Sequence, residues 1–525
     1  MNNKRVISVV FSLALTLNLP ACSIGDEVLS SAEEAGGFEP SPAAVELVQA
    51  FEPASLVRIS RNEGGLVAEL DNGDRFARDH DSAGDVNGDG IIDLVVGARS
   101  DDDGATDAGA AYILFMNADG SVNTHQKISA LEGGFSDELV AGSFFGYGVA
   151  GIGDYNGDDI PDIAVSAPAA PVPTIYILHL ESDGTVKSMV SNPGIVGQGL
   201  SAIGDLNDDG RIDLVAAEPG AVSGGRIRIL FFDQTSLVSS GSVVTIGEGM
   251  GGFGTGLTDG DSFGGRESAL LGDLDNDGNP ELAVGAFESE NGLGAIWILS
   301  LDEDTHQVID KFRIAPGTGE FNETIPLASN ANGTTGGHFG HAIVAAGDLN
   351  GDTIPDLISS ANQYNDGVGY ILYLNEDKTI RTFTRINAEE GGFDLPLAFE
   401  ERFGRSISIV DQHRNDGQIV VNMGGGAGST GSVYALHFHQ CDYQEQDDNQ
   451  FWTGGETLFS NWDHATQVVS GSLSLEQCML QAVYSDAPNI TFKESDGRCI
   501  IKDSSAVLSP SEEGSSAFVR SCPSL

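Results

Sequence analysis

The chain alternates short apolar runs with turn-forming residues over most of its length. Six of these runs are rich in β-branched and aromatic side chains. They are AAYILF from Ala110, TIYILHL from Thr174, GRIRILFF from Gly225, GAIWILSL from Gly294, GYILYL from Gly369 and GSVYALHF from Gly431. Runs of this kind between turn residues predict β-strands. The 69 glycines follow no collagen-like period and favour the same conclusion, so we expect a mainly β fold with many turns.

The runs belong to a longer repeat whose copies begin about 50 to 75 residues apart. Five copies contain an acidic loop followed by an apolar strand: GDVNGDGIIDLVVGA from Gly84, GDYNGDDIPDIAVSAP from Gly153, GDLNDDGRIDLVAAEP from Gly204, GDLDNDGNPELAVGA from Gly272 and GDLNGDTIPDLISSA from Gly347. A sixth copy, Ser408 to Gly426, has lost the acidic pattern. A Phe-Gly pair or a variant precedes several copies, as Phe76-Ala77, Phe145-Gly146, Phe263-Gly264, Phe339-Gly340 and Phe403-Gly404. A repeat of this length is typical of propellers and arrays.

The acidic loops have the spacing of a calcium site. In the first loop, Asp85, Asn87, Asp89 and Asp93 occupy positions 1, 3, 5 and 9, and Ile91 at position 7 offers its carbonyl oxygen. Calcium binds six to eight hard oxygen ligands, and a tightly wound loop can turn alternate side chains towards one centre. Because position 7 needs only a carbonyl, its side chain is free to vary.

The other four loops repeat this order. They place Asp154, Asn156, Asp158, Ile160, Asp162; Asp205, Asn207, Asp209, Arg211, Asp213; Asp273, Asp275, Asp277, Asn279, Glu281; and Asp348, Asn350, Asp352, Ile354, Asp356. The alternative is a set of plain hairpin turns, which also favour Asn, Asp and Gly. Turn chemistry requires no acid at position 9, however, and each cluster of carboxylates would repel itself without a cation. We therefore expect about five structural Ca²⁺ ions, with loop five weakest because Thr353 stands at position 6, where the turn favours φ > 0.

The order of Phe-Gly, acidic loop, small-residue strand end and aromatic strand resembles the FG-GAP repeat of integrin α propellers and many bacterial surface proteins. The resemblance covers roughly 385 of the 525 residues and implies an FG-GAP β-propeller over residues 52–440. Six copies imply six blades, although integrins have seven, so a seventh blade is left open. Copy six has no outer strand after it, whereas LVRISRNEGGL from Leu56 matches the outer-strand pattern and precedes copy one. We expect this N-terminal strand to complete the last blade, because closure would remove two free sheet edges.

The N-terminus reads as an export signal with an anchor. Residues 1–21 combine Lys4 and Arg5 with an apolar stretch too short for a confident membrane span, and they end before Cys22 in a sequence that resembles a bacterial lipobox. We expect Cys22 to be lipidated, with ordinary signal cleavage nearby as the alternative. Residues 22–51 would form an acidic tether. The mature protein would then be exported and lipid-anchored at the bacterial outer membrane or cell surface.

The C-terminal region, residues 441–525, lacks the repeat and contains Cys441, Cys478, Cys499 and Cys522. Four clustered cysteines in an exported chain indicate two disulfides, for which three pairings exist. The segment from Ser474 to Asp503 resembles a PAN/apple-like module, in which a helix carrying Cys478 precedes an apolar strand and a strand bearing Cys499. This resemblance implies a small disulfide-stabilised α+β domain with Cys478 paired to Cys499 and Cys441 paired to Cys522. The module would bind protein or carbohydrate, or serve as a stapled cap.

The net charge of the chain limits the kinds of partner that it can bind. With 78 acidic and 25 basic residues, its net charge of −53 argues against nucleic acid and anionic membranes as partners, so any membrane contact would come through the N-terminal lipid alone. No His-Glu-x-x-His signature occurs. We expect a calcium-dependent binding or adhesion protein whose ligand is an extracellular protein or glycan. The alternatives are an enzyme acting on polysaccharide or lipid, and a structural spacer of the envelope, since fold alone does not settle function.

Overall fold

The computed structural model describes most of the chain from residue 48 onward. The described residues are 48–233, 235, 237–319, 321–323, 325, 336–364, 366–387, 397, 401–410, 418–426, 431–448, 450–453, 457–460, 462–463, 468–469, 489–493, 498–502, 507–510 and 515–521. Several predictions therefore fall outside them: the export signal, Cys22, the tether up to residue 47, the helix with Cys478, and Cys522.

Five antiparallel sheets of four strands follow one another, and the strand order within each sheet is the order in the sequence. We call each sheet a blade. Blade one holds β2 (Phe76–Gly84), β3 (Asp93–Ala98), β4 (Ala110–Met116) and β5 (Val122–Ile128). Blade two holds β6 (Val149–Gly153), β7 (Asp162–Ala167), β8 (Thr174–Leu180) and β9 (Val186–Pro193), and blade three holds β10 (Leu200–Ala202), β11 (Leu214–Glu218), β12 (Arg226–Phe232) and β13 (Val238–Gly247). Blade four holds β14 (Phe263–Gly272), β15 (Glu281–Ala286), β16 (Ile296–Leu301) and β17 (Val308–Ile314), and blade five holds β18 (Phe339–Gly347), β19 (Asp356–Ala361), β20 (Val368–Leu374) and β21 (Ile380–Ile386).

The sixth blade is completed by the N-terminal strand. It contains β22 (Ile407–Val410), β23 (Gln418–Gly425) and the first part of β24 (Ser432–Asp448), and β1 (Val48–Ile59) pairs antiparallel with β24. In this register Val57 lies opposite Ala435 and Ile59 opposite Val433. The predicted closure is confirmed, and the fold is a six-bladed β-propeller.

The first strand of each blade lies innermost and contacts the first strands of the neighbouring blades. The contacts run from β2 to β6, β10, β14, β18 and β22, and β22 contacts β2 in turn. Across this last seam, His80 Nδ1 and Ser406 Oγ form a hydrogen bond. The ring therefore closes through its innermost strands as well as through β1.

The Phe-Gly pairs join one blade to the next. Their phenylalanines are fully buried at Phe76, Phe145, Phe263, Phe339 and Phe403. The backbone of Phe145 forms a parallel bridge with Gly109, which stands directly before the third strand of the preceding blade, and two further junctions repeat this bridge. At the seam between blades six and one, a Cβ on Gly431 would lie 1.8 Å from the carbonyl oxygen of Phe76. Glycine is required there because only hydrogen fits between the two backbones.

Eight strands follow β24 in the described part of the chain. They are β25 (Gln450–Thr453), β26 (Thr457–Ser460), β27 (Trp462–Asp463), β28 (Val468–Val469), β29 (Asn489–Lys493), β30 (Arg498–Lys502), β31 (Val507–Pro510) and β32 (Ser515–Ser521). Of these, β26, β29, β30 and β32 extend the sheet of the sixth blade, while β25 pairs with β31 and β27 with β28 in two separate sheets. Strand β24 runs through the boundary predicted between residues 440 and 441 and pairs with β32, which leads to β29, β30 and β26. The apolar strand and the Cys499 strand expected from the sequence are present as β29 and β30, which pair with each other.

Helix is scarce in the described part of the chain. A single turn, α1 (Ser289–Gly292), connects β15 and β16. No helix among the described residues has the length and apolar character needed to cross a membrane.

Candidate metal centres in the strand-connecting loops

The five acidic loops lie at one end of the propeller. In blades one to five, each loop connects the first strand to the second, as residues 85–92 connect β2 to β3. Because strand order and direction are the same in these blades, all five loops emerge on one face, which we call the loop face. The innermost strands begin at the opposite end, which we call the Phe-Gly face.

Position 9 is the buried centre of each loop. All five side chains at this position are 0% exposed: Asp93, Asp162, Asp213, Glu281 and Asp356. In loop one, Asp93 Oδ2 accepts a hydrogen bond from Val86 N–H at 3.1 Å, and Oδ1 accepts one from Met116 N–H at 3.0 Å. The carboxylate thus ties the start of its loop to the third strand of the blade, a role beyond any metal ligation.

The carboxylate at position 1 holds the loop in its wound shape through hydrogen bonds to the loop backbone. Asp85 Oδ1 accepts a hydrogen bond from Asp89 N–H at 3.0 Å, and Oδ2 accepts one from Gly90 N–H at 2.8 Å. The same pattern, in which the first carboxylate accepts from positions 5 and 6, recurs at Asp154, Asp205, Asp273 and Asp348. The sequence therefore folds locally into five copies of one wound loop.

Positions 3, 5 and 7 complete the winding. In loop one, Asn87 Oδ1 accepts a hydrogen bond from Asp89 N–H at 2.9 Å, and Asp89 Oδ1 accepts one from Ile91 N–H at 2.8 Å. The second bond has counterparts from the position-7 N–H groups of Ile160, Arg211, Asn279 and Ile354. The Arg211 guanidinium carbon lies 4.9 Å from the ring centroid of Tyr155, so this side chain packs on a neighbour. As expected, position 7 tolerates different side chains.

Position 6 has the predicted left-handed backbone in every loop. The φ angles are 86° at Gly90, 67° at Asp159, 84° at Gly210, 93° at Gly278 and 73° at Thr353. Position 4 is left-handed as well, which the sequence analysis did not anticipate. Its two non-glycine members are Asp208 and Asn276, residue types that tolerate this conformation better than most.

The loop carboxylates repel one another, as the sequence analysis expected. Burial raises the pKa of Asp93 to about 6, and the charges of Asp89 and Asp85 raise it further. Burial likewise raises the pKa of Asp213 to about 7, with contributions from Asp209 and Asp205. The pKa of Asp356 is raised for the same reasons. A divalent cation would remove this repulsion.

Loop four gathers its carboxylates most closely. One oxygen from each of Asp273, Asp275 and Glu281 lies within 4.8 Å of the others. Asp275 Oδ1 and Glu281 Oε1 are buried without a hydrogen-bond partner among the described residues, and the same is true of Asp213 Oδ1 in loop three. These oxygens fit calcium, which takes carboxylate ligands.

Four basic residues contact the loops without having been predicted. Lys378 Nζ lies 2.7 Å from Asp275 Oδ2 in loop four, Lys187 Nζ 2.7 Å from Asp158 Oδ2 in loop two, and Arg381 Nη1 2.6 Å from Asp352 Oδ2 in loop five. His179 Nδ1 lies 3.0 Å from Asp162 Oδ2. Lys378 reaches across from blade five to blade four, and its side chain is 8% exposed. No local motif marks this contact, because its partners are 103 residues apart in the sequence.

The repeat is also recognised by comparison with known proteins. The family model described as "FG-GAP repeat" matches residues 145–187 and 265–299, the stretches around the loops of blades two and four. The chain carries FG-GAP repeats. The matched segments include the first three strands of blade two and most of the first three strands of blade four, so the FG-GAP repeat corresponds to blades of this propeller.

The FG-GAP propeller is similar to parts of integrin α subunits. Identity is 33% over 141 residues to integrin alpha-3 of Cricetulus griseus (25% of this chain, 13% of the relative), and 34% over 130 residues to integrin alpha-6 of Homo sapiens (25% and 10%). It is 30% over 240 residues to integrin alpha-5 of Xenopus laevis, covering 42% of this chain and 20% of that protein. The chain spans only between 9% and 20% of the length of the curated relatives it matches.

The chain also matches a solved structure at low similarity. It is the subtype N10 neuraminidase-like protein of A/little yellow-shouldered bat/Guatemala, with a TM-score of 0.35 and 10% identity, covering 74% of this chain and 98% of that one. At this TM-score the match does not bear on function.

Proposed function

We propose that this FG-GAP propeller is a calcium-loaded binding and adhesion module. The observation that carries the proposal is the repetition of one wound loop in five blades, each with a fully buried acid at position 9. Each loop brings several carboxylates together, and such oxygen-only ligand sets suit Ca²⁺. When bound, the ion would neutralise the loop carboxylates, which join the first and second strands of their blades.

The residues that would hold the ion are those at positions 1, 3, 5 and 9 of each loop, together with the position-7 carbonyl. The role of calcium is therefore structural, because the loop acid also bonds to the third strand in blades one, two and five. The rigid blades would present a binding surface to an extracellular protein or glycan. Similarity to integrin α subunits supports a binding role.

We further propose that the protein is exported and anchored by lipid at Cys22, on the bacterial outer membrane or cell surface. The support is the short apolar signal that runs directly into Cys22. The proposed disulfides between Cys478 and Cys499 and between Cys441 and Cys522 belong to the same oxidising compartment. Mass spectrometry of the membrane fraction tests the anchor, and an unmodified N-terminus beyond residue 22 would contradict it.

Calcium binding is tested by calorimetry on protein stripped with EDTA. We expect about five ions per chain, and each independent site held at about 100 times its Kd should add about 2.7 kcal/mol of stability. The melting temperature should fall when the ions are removed. Asp85→Asn should remove one ion from the stoichiometry, whereas Glu69→Gln, an exposed acid outside the loops, should remove none. Unchanged melting in EDTA would refute the proposal.

A further inference from the structure

A second functional surface lies at the Phe-Gly face, around the propeller axis. The residue two or three positions after each phenylalanine is aromatic or basic: Arg78, Tyr147, Arg266, His341 and Arg405. All five stand at or just before the start of an innermost strand. Ring topology therefore brings them together, although they are spread over more than 300 residues of sequence.

Direct contacts place this cluster on the axis. The guanidinium carbons of Arg99 and Arg266 lie 4.1 Å and 4.9 Å from the ring centroid of Tyr147. Arg99 belongs to blade one and Arg266 to blade four, which are opposite one another in a ring of six. Arg266 Nη1 also donates a hydrogen bond at 3.0 Å to the carbonyl oxygen of Gln198, which leads into blade three. Four blades thus meet around one tyrosine.

The arginines of this cluster lack acidic partners. In the described part of the chain, no ion pair involves Arg78, Arg99, Arg266 or Arg405. The Nε atoms of Arg78 and Arg99 are buried without a hydrogen-bond partner, and Arg99 is only 8% exposed. This is unusual in a chain with a net charge of −53.

Acids near the rim of the same face are already paired with other bases. Asp101 and Asp103 bind Lys127, and Glu218 binds Arg226 and Arg228. Glu323 binds Arg385, and Glu401 lies 3.6 Å from Arg58. The rim acids therefore leave the four axial arginines without partners.

The carboxyl groups closest to the arginines belong to Asp79, Asp81 and Glu267, and those of Asp79 and Glu267 are buried. Burial raises the pKa of Asp79 to about 8, and the pKa of Glu267 is raised well above its usual range by burial and by Asp79. Asp79 Oδ2 accepts a hydrogen bond from Val149 N–H at 3.2 Å, and Glu267 accepts one from Ile407 N–H at 3.1 Å. Asp81 Oδ2 likewise accepts a hydrogen bond from Gly151 N–H at 3.1 Å. These three acids brace the innermost strands, and three carboxyl groups are too few to neutralise four guanidinium groups.

Positive charge therefore accumulates at the axis. Burial and the neighbouring arginines lower the pKa of Arg78 and that of Arg405, which shows that the cations are desolvated and repel one another. Since a guanidinium keeps its proton in proteins, such a site is stabilised by a bound anion.

We propose that the axial arginine cluster of Arg78, Arg99, Arg266 and Arg405 is a binding site for a single carboxylate group on a small ligand. The fork of a guanidinium matches the two oxygens of a carboxylate and binds them in a bidentate manner. The strongly negative protein repels an extended polyanion, which leaves a ligand with one anionic group on an otherwise neutral body. This inference deepens the proposed binding function, because it places the ligand site at the axis, at the opposite end of the propeller from the calcium loops.

Glucuronate and glucose are suitable probes, because they differ in the presence of the carboxylate. Titration calorimetry on the full calcium-saturated protein should detect glucuronate and not glucose. Arg78→Gln and Arg405→Gln should each weaken binding by about tenfold or more, as expected for loss of a charged hydrogen bond. The control is Arg61→Gln, which removes one exposed arginine from the chain and should leave glucuronate binding unchanged.

Folding is monitored in every variant by its melting temperature and by its calcium stoichiometry. Both axial variants should melt no lower than the parent, because they relieve repulsion between buried cations. Absence of glucuronate binding, equal loss in Arg61→Gln, or equally tight binding of inorganic sulfate would overturn the carboxylate site. Five bound Ca²⁺ without glucuronate binding would defeat this inference alone, whereas glucuronate binding without Ca²⁺ would defeat the calcium proposal alone.

Discussion

Thr353 has a backbone conformation that is unfavourable for its β-branched side chain. It stands at position 6 of loop five with φ 73°, where three of the other four loops have glycine. A left-handed backbone costs an L-residue about 1 to 2 kcal/mol, and a β-branched side chain suits it least. Loop five can adopt the common winding only against this strain, which is the physical basis for expecting its calcium site to be the weakest.

Replacing Thr353 by glycine should therefore stabilise the protein. Thr353→Gly relieves the backbone strain, but glycine loses more conformational entropy when the chain folds. We therefore expect the free energy of unfolding to rise by about 0.5 to 1 kcal/mol, and calcium to bind more tightly at one of the five sites. Thermal melting and calorimetry measure the two effects. Thr124→Gly is the matched control, because Thr124 lies exposed in β5 without a left-handed backbone and its replacement should lower stability. If Thr353→Gly lowered stability as Thr124→Gly should, backbone strain at Thr353 would not limit the stability of loop five.

A second residue, Asp79, should control how stability depends on pH. Burial raises its pKa in the folded protein to about 8, above the usual value of 3.8, so the folded protein holds a proton that the unfolded chain releases. This contribution to stability is fully present below about pH 4 and is lost as the pH rises towards 8. Asp79→Asn removes the dependence, so its stability advantage over the parent should grow from pH 5 to pH 8. Chemical denaturation at both pH values measures this, with the exposed Glu69→Gln as a control that keeps a constant offset.

At the scale of elements, the closing strand is the segment on which the ring depends. Strand β1 covers the edge of β24, while Ile59 and Leu66 are 0% exposed and pack in the cluster that joins blades one and six. An open edge would expose unpaired backbone groups, which can template association with another chain. The N-terminal segment is thus part of the propeller and not only of a tether.

Deleting residues 52–66 should open the ring. We expect a lower melting temperature and self-association, because the outer edge of the sixth blade loses its partner. Deleting residues 24–40, which precede the described part of the chain, should leave melting nearly unchanged. Thermal scans and size-exclusion chromatography with light scattering compare the two proteins. A monomeric 52–66 deletion with parental melting would contradict the role of β1.

Blade three forms although its sequence lacks the Phe-Gly motif. It has no Phe-Gly pair, and its innermost strand β10 spans only Leu200–Ala202. A Cβ on Gly199 would lie 1.7 Å from the carbonyl oxygen of Arg266, so this glycine supplies the close approach to the next blade. The neighbouring blades hold this strand in place where the local motif is missing.

At the scale of the whole molecule, the propeller separates two kinds of charge. The acidic loops, which we propose to bind calcium, lie on the loop face, and the unpaired arginines converge at the axis on the Phe-Gly face. The separation follows from the strand direction common to the blades, since the loop and the Phe-Gly pair stand at opposite ends of the innermost strand. Cation loading and ligand binding can therefore be altered independently by substitution.

The sequence by itself determined the repeating unit. The runs beginning at Ala110 and Thr174 became β4 and β8 from their first residues, and the loop positions inferred from spacing form one wound structure in five blades. This succeeded because the hydrogen bonds of a blade and of its loop join residues close in sequence, so periodicity and turn chemistry carry the information. Closure by β1 was also predictable, because a missing outer strand in copy six had one unpartnered counterpart at the other end of the repeat.

Only the tertiary structure decided which residues from different blades meet. Lys378 contacts Asp275 in the neighbouring blade. Arg99 and Arg266, from opposite blades of the propeller, both pack against Tyr147. No local motif marks these contacts, and an arginine after a Phe-Gly pair reads as an ordinary surface charge. Their proximity follows from the number of blades and from the narrow axis on which the innermost strands converge. That geometry is a property of the closed ring and is absent from any single repeat.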